Sequence, residues 1–442
     1  MSSPPSTPCA GLPSDASQHR FYPTGTATEW AEEYRPGRFH PVQFGDLFKD
    51  GRYKVIRKMG YGSFSTVWLA VDKELARYVA LKVLVAKESP TSKELPILEH
   101  IARSSASYPG SKHVISMLDN FTHKGPNGTH LCLVFEPMGG TAASIRETLP
   151  CNLPHRKGRV ARYPLWMAKR ILRHTLIALD FLHQVGIVHG DIQPGNLLFS
   201  IANLNDIPEE SLAQGRNTSE ISKPLERKDG KIDKWAPEYL AIPQPLEKYV
   251  DTGPGLLVKV SDVGAAFFAS SPPTKPVTPK GLRAPELILT SFPLTSSIDI
   301  WSFGCLVYEF VTGTSLFTLD LYGAKEEEID DDHLLMMTDV LGKLPDDMLL
   351  EWPRAGKYFG EGGERISSAT SEDMVDEDEG PHIWDDLEKS FEKNKSEEVD
   401  EEQSSIIVSL IRKIMQYDPQ KRPSAGELLK HPWFKEDIIL EE

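Results

Sequence analysis

The chain has 442 residues, of which 40% are hydrophobic and 26% charged, the composition of a globular protein with room for two or three average domains or one large two-lobed domain. No apolar run approaches the ~20 residues of a membrane helix, and the Ser- and Pro-rich start lacks the apolar segment of a signal peptide. The four cysteines show neither paired nor metal-ligand spacing. We therefore expect reduced thiols, no membrane partner, and a cytoplasmic and nuclear location.

The net charge of −15 is concentrated in one segment. Between Asp320 and Glu402 the chain carries 28 acidic and 8 basic residues, a local net charge of −20 that leaves +5 for the remainder. Such a segment argues against direct binding of nucleic acid. It is typical either of a solvated, disordered stretch or of a docking surface for a basic partner, and composition leaves both interpretations open.

Residues 1–40 are polar and Pro-rich, with only Trp30 and Tyr34 as anchors, which predicts a loose extension. From Leu47 the pattern changes to partly alternating runs of β-branched and aromatic residues that are separated by short turns. These runs predict three strands, at 53–59, 66–71 and 78–85.

The turn between the first two strands is rich in glycine. Glycines let backbone N–H groups approach a polyphosphate closely, and an aromatic residue at the tip would cover it. Glycine turns between strands are common and mostly structural, so this loop alone is a weak signal. The candidate nucleotide-binding residues here are Met59, Gly60, Tyr61, Gly62, Ser63, Phe64, Ser65, Thr66 and Val67.

A lysine, Lys82, lies in the middle of the third apolar strand, where it would be costly unless its amine meets anions. We expect those anions to be the α- and β-phosphates of ATP and a glutamate of the next helix, Glu94 or Glu99. Pro96 is tolerable only in a first helical turn, so both glutamates stay open, with Glu94 preferred.

The apolar strand after this helix ends in Glu136-Pro137-Met138 and a glycine pair, which fits a hinge between two lobes. We expect Glu136 and Met138 to belong to the ATP site, Met138 through its backbone. A core strand that ends in an ordinary turn would contain the same residues, so this element supports the interpretation without deciding it.

A predicted helix from Pro164 to His183 leads into His189-Gly-Asp-Ile-Gln-Pro-Gly-Asn196. The pattern H-x-D-x-x-x-x-N is typical of phosphotransferases, in which Asp191 would accept the proton of the attacking hydroxyl and Asn196 would ligate magnesium. A polar stretch, 200–255, follows and is interpreted as an insert. Strand-like residues then lead into Asp262-Val263-Gly264, where Asp262 would be the second magnesium ligand.

These signatures, together with Ala-Pro-Glu286, Asp299-Ile-Trp and the later Arg422, extend over ~370 residues and resemble the eukaryotic protein kinases. The finer match is to the SR-protein kinases, which phosphorylate serines of Arg/Ser-rich proteins, many of them splicing factors. It rests on the stretches 37–48, 62–70, 340–345 and 428–434, and it looks most like fungal members.

The resemblance implies an α+β, two-lobed kinase fold. The small lobe, at 41–138, would be an antiparallel sheet with one helix. The larger lobe, at 139–438, would be mainly helical and interrupted by the polar insert 200–255 and an acidic insert at about 343–403. Glu286 and Arg422 would form a buried pair that braces the substrate-binding loop, and Asp299 would be structural.

The implied function is a serine/threonine kinase that transfers the γ-phosphate of ATP to serines of basic, Arg/Ser-rich proteins. ATP and Mg²⁺ would be its cofactors, with Asp191 as base, Asn196 and Asp262 as metal ligands, and Lys82 and Gln193 beside the reacting groups. The acidic insert would attract basic substrates. We expect a monomer.

Three residues depart from the usual kinase pattern. Gly190 stands where many kinases have arginine, so no cation awaits a phosphorylated activation loop, and we predict activity without phosphorylation of Ser270, Ser271, Thr274 and Thr278. Gln193 replaces a lysine that contacts the γ-phosphate, and the lost charge would slow transfer. Val263 replaces phenylalanine and would change packing under the regulatory helix.

Two alternatives stay open. The H-G-D-x-x-P-G-N pattern also occurs in antibiotic and choline kinases, although Glu286, Asp299 and Arg422 hold a peptide platform that those enzymes lack. A pseudokinase scaffold that binds basic partners is the other alternative, motivated by Gly190 and Gln193. The retention of four residues argues against it: Lys82, Asp191, Asn196 and Asp262.

Overall fold

The computed structural model describes residues 8, 11–13, 15–153, 160–217, 219–275, 277–289, 293–319, 323–367 and 381–435. The polypeptide chain forms two compact units. Unit 1 takes its residues from Met1–Ala102, Ile115–Gly140 and Leu198–Leu256, and unit 2 from Arg103–Val114, Thr141–Leu197 and Leu257–Glu442.

The elements are numbered along the chain. The strands are β1 (Leu47–Phe48), β2 (Tyr53–Tyr61), β3 (Ser65–Asp72), β4 (Arg77–Leu84), β5 (Met117–Gly125), β6 (Gly128–Phe135), β7 (Ile187–Val188), β8 (Leu197–Phe199), β9 (Val258–Val260) and β10 (Phe267–Phe268). The α-helices are α1 (Glu94–Ser104), α2 (Ala142–Thr148), α3 (Leu165–Gln184), α4 (Glu209–Leu212), α5 (Pro285–Leu289), α6 (Ser297–Thr312), α7 (Glu326–Leu341), α8 (Asp346–Leu350), α9 (Leu387–Asn394), α10 (Glu401–Ile414) and α11 (Ala425–Leu428).

Unit 1 is built on an antiparallel six-stranded sheet in the order β1-β2-β3-β4-β6-β5. Successive side chains of a strand point to opposite faces, and here both faces are buried. Trp68 of β3 packs into one cluster with Val55 and Leu81, whereas its neighbour Leu69 packs into a second cluster with Ile56. The sheet therefore needs a cover on each side.

The insert supplies the cover of the second face. Leu204, Leu212 and Leu246 pack against Ile56 and Leu69, so residues 198–256 belong to unit 1. The insert interrupts unit 2 along the chain, where the sequence predicts an insert in the larger lobe, but its residues pack within unit 1. The sequence did not indicate this, although the leucines of the insert fall where the sheet exposes apolar side chains.

The extension also differs from its prediction. Residues 20–39 are not loose, because Phe21, Tyr34 and Phe39 are buried in a cluster that includes Leu240 of the insert. The polar character that suggested a loose chain comes from ion pairs, for example those that Arg20 forms with Glu32 and Asp233. Charged residues in this segment face one another, and its aromatic residues reach the core.

Unit 2 is mainly helical, and its central helix α6 is buried on almost all sides. The acidic region is folded where it is described. Asp331 of α7, for example, accepts hydrogen bonds from Trp352, Arg354 and Tyr358 at 2.7, 2.6 and 2.8 Å. Disorder is thus the wrong interpretation for 343–367 and 381–403, while 368–380 lie outside the described residues. No helix of the described chain has the length and apolar character to cross a bilayer.

Candidate active site

The glycine-rich loop of unit 1 is the turn between β2 and β3. It is closed by a hydrogen bond from Gly62 N to Ser65 O of 2.9 Å, and Phe64 at its tip is 58% exposed. A Cβ atom added at Gly60 or Gly62 would meet nothing within 4 Å. The loop therefore leaves open space beside its backbone, which fits the close approach of a phosphate group.

Lys82 of β4 is paired with a glutamate, as its position in an apolar strand predicted. Its Nζ lies 2.7 Å from Glu94 Oε1, and the two side chains are 14% and 5% exposed. The structure thus resolves the open choice between Glu94 and Glu99. Helix α1 begins at Glu94, so Pro96 lies in the first turn, where its missing N–H breaks no helical hydrogen bond.

The residues of the predicted hinge, 136–140, are the last of the unit 1 segment Ile115–Gly140. Glu136 Oε1 accepts a hydrogen bond from Ser116 N at 3.0 Å, and Met138 is buried. Gly139 N donates to Phe199 O at 2.8 Å, and a Cβ at Gly139 would lie 3.3 Å from that oxygen and 2.1 Å from Val250 Cγ2. Glycine is required here because two chain segments pass so close together.

The motif at 189–196 of unit 2, named the catalytic loop after its predicted role, connects β7 to β8. It is anchored by Asp299 of α6. The buried carboxylate of Asp299 accepts from His189 N and Gly190 N, both at 2.8 Å, and from His183 at 2.9 Å. Burial raises the pKa of Asp299, but the hydrogen bond and charge of His183 and the His189 N–H outweigh it and hold the pKa below its ordinary value. Gly190 has a φ of +75°, which favours glycine and accounts for its place here.

His189 holds the loop from inside. Its Nε2 lies 3.0 Å from Ser261 O, and its Nδ1 accepts from Asp191 N at 3.3 Å. These partners assign the proton to Nε2.

Asp191 carries two amide donors on its carboxylate. Gln193 Nε2 donates to Oδ1 at 2.7 Å and Asn196 Nδ2 to Oδ2 at 2.8 Å. Burial raises the pKa of Asp191 above the ordinary value although both hydrogen bonds oppose it, and the nearby charge of Asp262 adds to the rise. The sequence treated Gln193 only as a lost lysine charge and missed this contact, for which the motif gives no signal.

Two oxygen donors suited to a magnesium ion lie beside this loop. The amide nitrogen of Asn196 donates to Asp191, so its amide oxygen is the atom that can bind a cation. Ser261 donates through N and Oγ to Asn196 O at 2.8 and 3.0 Å, which ties Asn196 to the strand that delivers Asp262. Asp262 is exposed and has a φ of +58°, an uncommon backbone for a residue other than glycine.

The described residues contain no group of three or more His, Cys, Asp or Glu side chains arranged as a metal site. Magnesium that is bound with substrate phosphates needs only one or two carboxylates, so the pair Asn196 and Asp262 fits that chemistry. Val263 is buried in the short turn that follows.

The brace predicted between Glu286 and Arg422 is present. The guanidinium binds both carboxylate oxygens, at 2.6 and 2.8 Å, and both side chains are fully buried. Thr278 is a further residue of this region that the sequence did not assign correctly. It is buried, and its Oγ1 donates to Gly190 O at 2.6 Å, so it supports the catalytic loop.

A protein kinase domain family model matches residues 53–207 and 249–434. The serine/threonine-protein kinase SRPK of Physarum polycephalum is 32% identical over 92% of this chain and 91% of its own. Protein kinase dsk1 of Schizosaccharomyces pombe is 28% identical over 93% and 86%, and SRSF protein kinase 3 of Homo sapiens is 23% identical over 91% and 89%.

Among solved structures, a kinase-domain crystal structure shares the fold with a TM-score of 0.59, at 24% identity, over 89% of this chain and 98% of its own. The gap between the two matched ranges of the family model, 208–248, lies within the insert that folds onto unit 1.

Proposed function

Because the chain belongs to the protein kinase family, as an SR-protein-kinase-like serine/threonine kinase, we propose that it phosphorylates serines of basic, Arg/Ser-rich proteins with ATP and magnesium. The observation that carries this proposal is the Asp191 carboxylate. It is partly buried, oriented by two amides and has a raised pKa. A base of this kind is placed and tuned to accept the proton of a substrate hydroxyl.

We assign the proposed roles for each unit by itself. In unit 2, Asp191 accepts the serine proton, and the Asn196 amide oxygen and the Asp262 carboxylate hold Mg²⁺. In unit 1, Lys82, fixed by Glu94, contacts the α- and β-phosphates, and the open glycine-rich loop offers N–H groups to the phosphate oxygens. Bound magnesium supplies neutralisation of the charge on the transferring phosphoryl group.

The preference for basic substrates follows from the charge of unit 2. At the start of α7, Glu326, Glu327 and Glu328 have side chains that are 65%, 76% and 48% exposed. Each of them also lies near a cation of the chain, as Glu327 does to Arg354 at 3.4 Å. Carboxylates after Leu341 form such pairs too, as Glu388 does with Arg412 at 2.5 Å. Exposed acidic side chains attract an arginine-rich peptide mainly through its on-rate, and salt screens that attraction.

The test is phosphate transfer from radiolabelled ATP to an Arg/Ser peptide, an acidic peptide, choline and an aminoglycoside. We expect labelling of the Arg/Ser peptide, which falls with added salt. Asp191→Asn should lower its kcat by roughly 10²–10⁴-fold, the usual contribution of a positioned base, without loss of Mg·ATP binding.

Two results would point elsewhere. Label on choline or the aminoglycoside would favour a small-molecule kinase. Tight Mg·ATP binding with no transfer to any acceptor would favour the scaffold alternative, which would bind basic partners without modifying them.

A further inference from the structure

Arg38 of the N-terminal extension contacts the tip of the glycine-rich loop. Its Nη2 donates to Ser63 O at 3.1 Å, and its Nε donates to Glu33 Oε2 at 2.5 Å. The guanidinium thus joins a carboxylate of the extension to a backbone carbonyl of the loop. The two side chains are only 20% and 15% exposed.

The backbone around Arg38 is fixed by the segment that follows β4. Lys87 N donates to Gly37 O at 2.8 Å, and Ala86 N donates to Arg38 O at 3.3 Å. The next residue, Phe39, is buried, and its carbonyl accepts from Asn127 Nδ2 at 2.5 Å. Arg38 therefore projects from a rigid base, and its reach to the loop does not depend on a flexible chain.

The contact fixes the orientation of one peptide group of the loop. The carbonyl and N–H of a trans peptide point in opposite directions, so binding the Ser63 carbonyl to Arg38 directs the Phe64 N–H away from Arg38. That N–H belongs to the set that a glycine-rich loop offers to phosphate. Gly60 and Gly62, which precede this peptide, allow the loop many other conformations, and the contact with Arg38 restricts them.

We propose that Arg38 is a positioning residue for ATP, which pre-orders the glycine-rich loop through the Ser63 carbonyl before the nucleotide binds. The inference rests on the proposed function, since it concerns the affinity for Mg·ATP. Pre-ordering lowers the conformational cost of binding. It acts on phosphate binding and leaves the base chemistry of unit 2 unchanged, so KM for ATP should respond while kcat does not.

The experiment compares the full-length wild type with Arg38→Ala, Arg38→Lys and Lys228→Ala. Lys228 is a matched control, because its exposed amine also bonds the extension, at Ala16 O at 3.0 Å, but does not touch the loop. The measurements are the Kd of Mg·ATP, KM and kcat for ATP, KM for the peptide, the unfolding temperature, and hydrogen exchange of residues 60–66 without nucleotide.

For Arg38→Ala we expect Kd and KM for ATP to rise about 3- to 10-fold, the range for the net loss of one ordinary hydrogen bond. Exchange of the loop amides should accelerate by a similar factor, and kcat and KM for the peptide should stay within about twofold. The Kd and KM for ATP of Arg38→Lys should lie between those of the wild type and Arg38→Ala. A single amine lacks the fixed fork of guanidinium donors with which arginine bonds Glu33 and Ser63 together. Lys228→Ala should match the wild type.

Unchanged nucleotide affinity and loop exchange in folded Arg38→Ala would overturn the inference. So would a fall in unfolding temperature in both Arg38 variants with no effect on nucleotide affinity, since that is a purely structural role. A wild type that does not bind Mg·ATP would instead refute the proposed function, and the two failures are thereby distinguished.

Discussion

The two units hold their functional loops in different ways. In unit 2, Asp191 is positioned by residues of its own loop, namely His189, Gln193 and Asn196. In unit 1, the glycine-rich loop is held by Arg38 of the extension, and strand β2 that leads to it is bonded by the insert, where Gln214 Oε1 accepts from Lys58 N at 3.0 Å. The Asp191 carboxylate is thus held from within its own loop, whose backbone is anchored by Asp299 and Thr278 of unit 2. The tip of the glycine-rich loop is instead bonded by the N-terminal extension.

The same contrast appears in two buried ion pairs of the described residues, one in each unit. Arg422 of unit 2 binds Glu286 and also donates to the carbonyls of Ser297, Gln416 and Tyr417, at 3.1, 2.7 and 3.1 Å. Lys58 of unit 1 pairs with Glu29 of the extension, whose other carboxylate oxygen accepts from Tyr34. Burial lowers the pKa of Lys58, and Glu29 only partly opposes this shift. The lysine depends on one carboxylate, whereas the arginine is part of a network.

The largest expected effects come from breaking these pairs. Glu29→Gln and Glu286→Gln each leave a buried cation without its counter-charge, and each should destabilise its unit by about 3–5 kcal/mol. Replacing the cation as well, in each glutamine variant, distinguishes the two ion pairs. Lys58→Met should recover most of the loss in the Glu29→Gln background, because no charge is then buried. Arg422→Met should recover little, because three backbone carbonyls lose their donor.

Urea unfolding is monitored by hydrogen exchange of β2 for unit 1 and of the segment at 415–428 for unit 2, so that the stability of each unit is measured separately. The single variants Lys58→Met and Arg422→Met complete a double-mutant cycle for each ion pair. Equal rescue in both units would contradict the distinction between a single-partner pair and a network.

The buried lysine also shows what the sequence can and cannot predict. An amine in an apolar strand singled out Lys82, whereas the buried Lys58 follows Arg57 in a strand that also contains Lys54, so its sequence context did not indicate its burial. Residues 67–71 are apolar without alternation, a pattern of strands buried on both faces. That pattern implies a second cover, although it does not identify the insert as the cover.

What lay within one motif was predictable, namely the positions of Lys82, Asp191, Asn196 and Asp262, because the spacing of these short patterns follows from their chemistry. The pairing of Glu286 with Arg422, which are 136 residues apart, was predicted only from the resemblance to protein kinases. The contacts of the extension and insert join positions such as Asn127 and Trp235, where Asn127 Nδ2 donates to Trp235 O at 2.8 Å. Nothing periodic or local links two residues so far apart, so these contacts required coordinates.

The next prediction concerns a feature that the units share. Each buries neutral histidines. Burial lowers the pKa of His113 to about 4 and of His174 to about 2 in unit 2, and of His40 to about 3 in unit 1. Val258 of β9 lies between the first two, since its O is 3.2 Å from His113 Nδ1 and its N donates to His174 Nδ1 at 3.3 Å.

A histidine with a lowered pKa is protonated first in the unfolded chain, so its contribution is complete above pH ~6.5 and is lost as the pH falls towards the folded pKa. Between pH 6.5 and 5.0 each histidine should lower the free energy of unfolding by about 2 kcal/mol. Urea unfolding at pH 7.5, 6.5, 5.8 and 5.0 measures this. His40→Phe should reduce the slope in unit 1 and leave that of unit 2 unchanged. A flat profile over this range would show that the histidines do not control acid sensitivity.

A smaller effect is expected at Gln193, where the support of the loop is local. The Gln193 amide is one of the contacts that oppose the raised pKa of Asp191. Gln193→Ala should therefore raise that pKa further and move the acid limb of kcat/KM to higher pH, because Asp191, the proposed base, would act in its deprotonated form. Gln193→Lys should move it to lower pH. At the optimum, kcat should fall about tenfold for alanine, as for loss of a hydrogen bond to a charged group.

The control for Gln193 is the unfolding free energy, which should change by less than about 0.5 kcal/mol because the side chain is partly exposed and stabilises no core contact. If the acid limb of kcat/KM falls at the same pH in the wild type, Gln193→Ala and Gln193→Lys, the pKa of Asp191 does not determine that limb.

The smallest effect is predicted for the activation segment. Ser270, Ser271 and Thr274 are exposed, and Gly190 presents no guanidinium that a phosphate on them would bind. Asp299 holds the loop N–H groups instead, and the Thr278 hydroxyl holds the Gly190 carbonyl. The triple alanine variant of the exposed residues, and wild type treated with phosphatase, should both keep kcat/KM within about twofold, as surface changes away from such contacts usually do.

Thr278 must be tested apart from these three, because it is a buried support of the loop and not an accessible modification site. Thr278→Ser should retain activity, and Thr278→Val should lower kcat by roughly 10-fold, since the buried Gly190 carbonyl loses its donor. A more than tenfold loss in the triple variant or after phosphatase treatment would show that unit 2 needs a phosphate after all. The contacts of Asp299 and Thr278 would then not suffice to hold the catalytic loop in its active form.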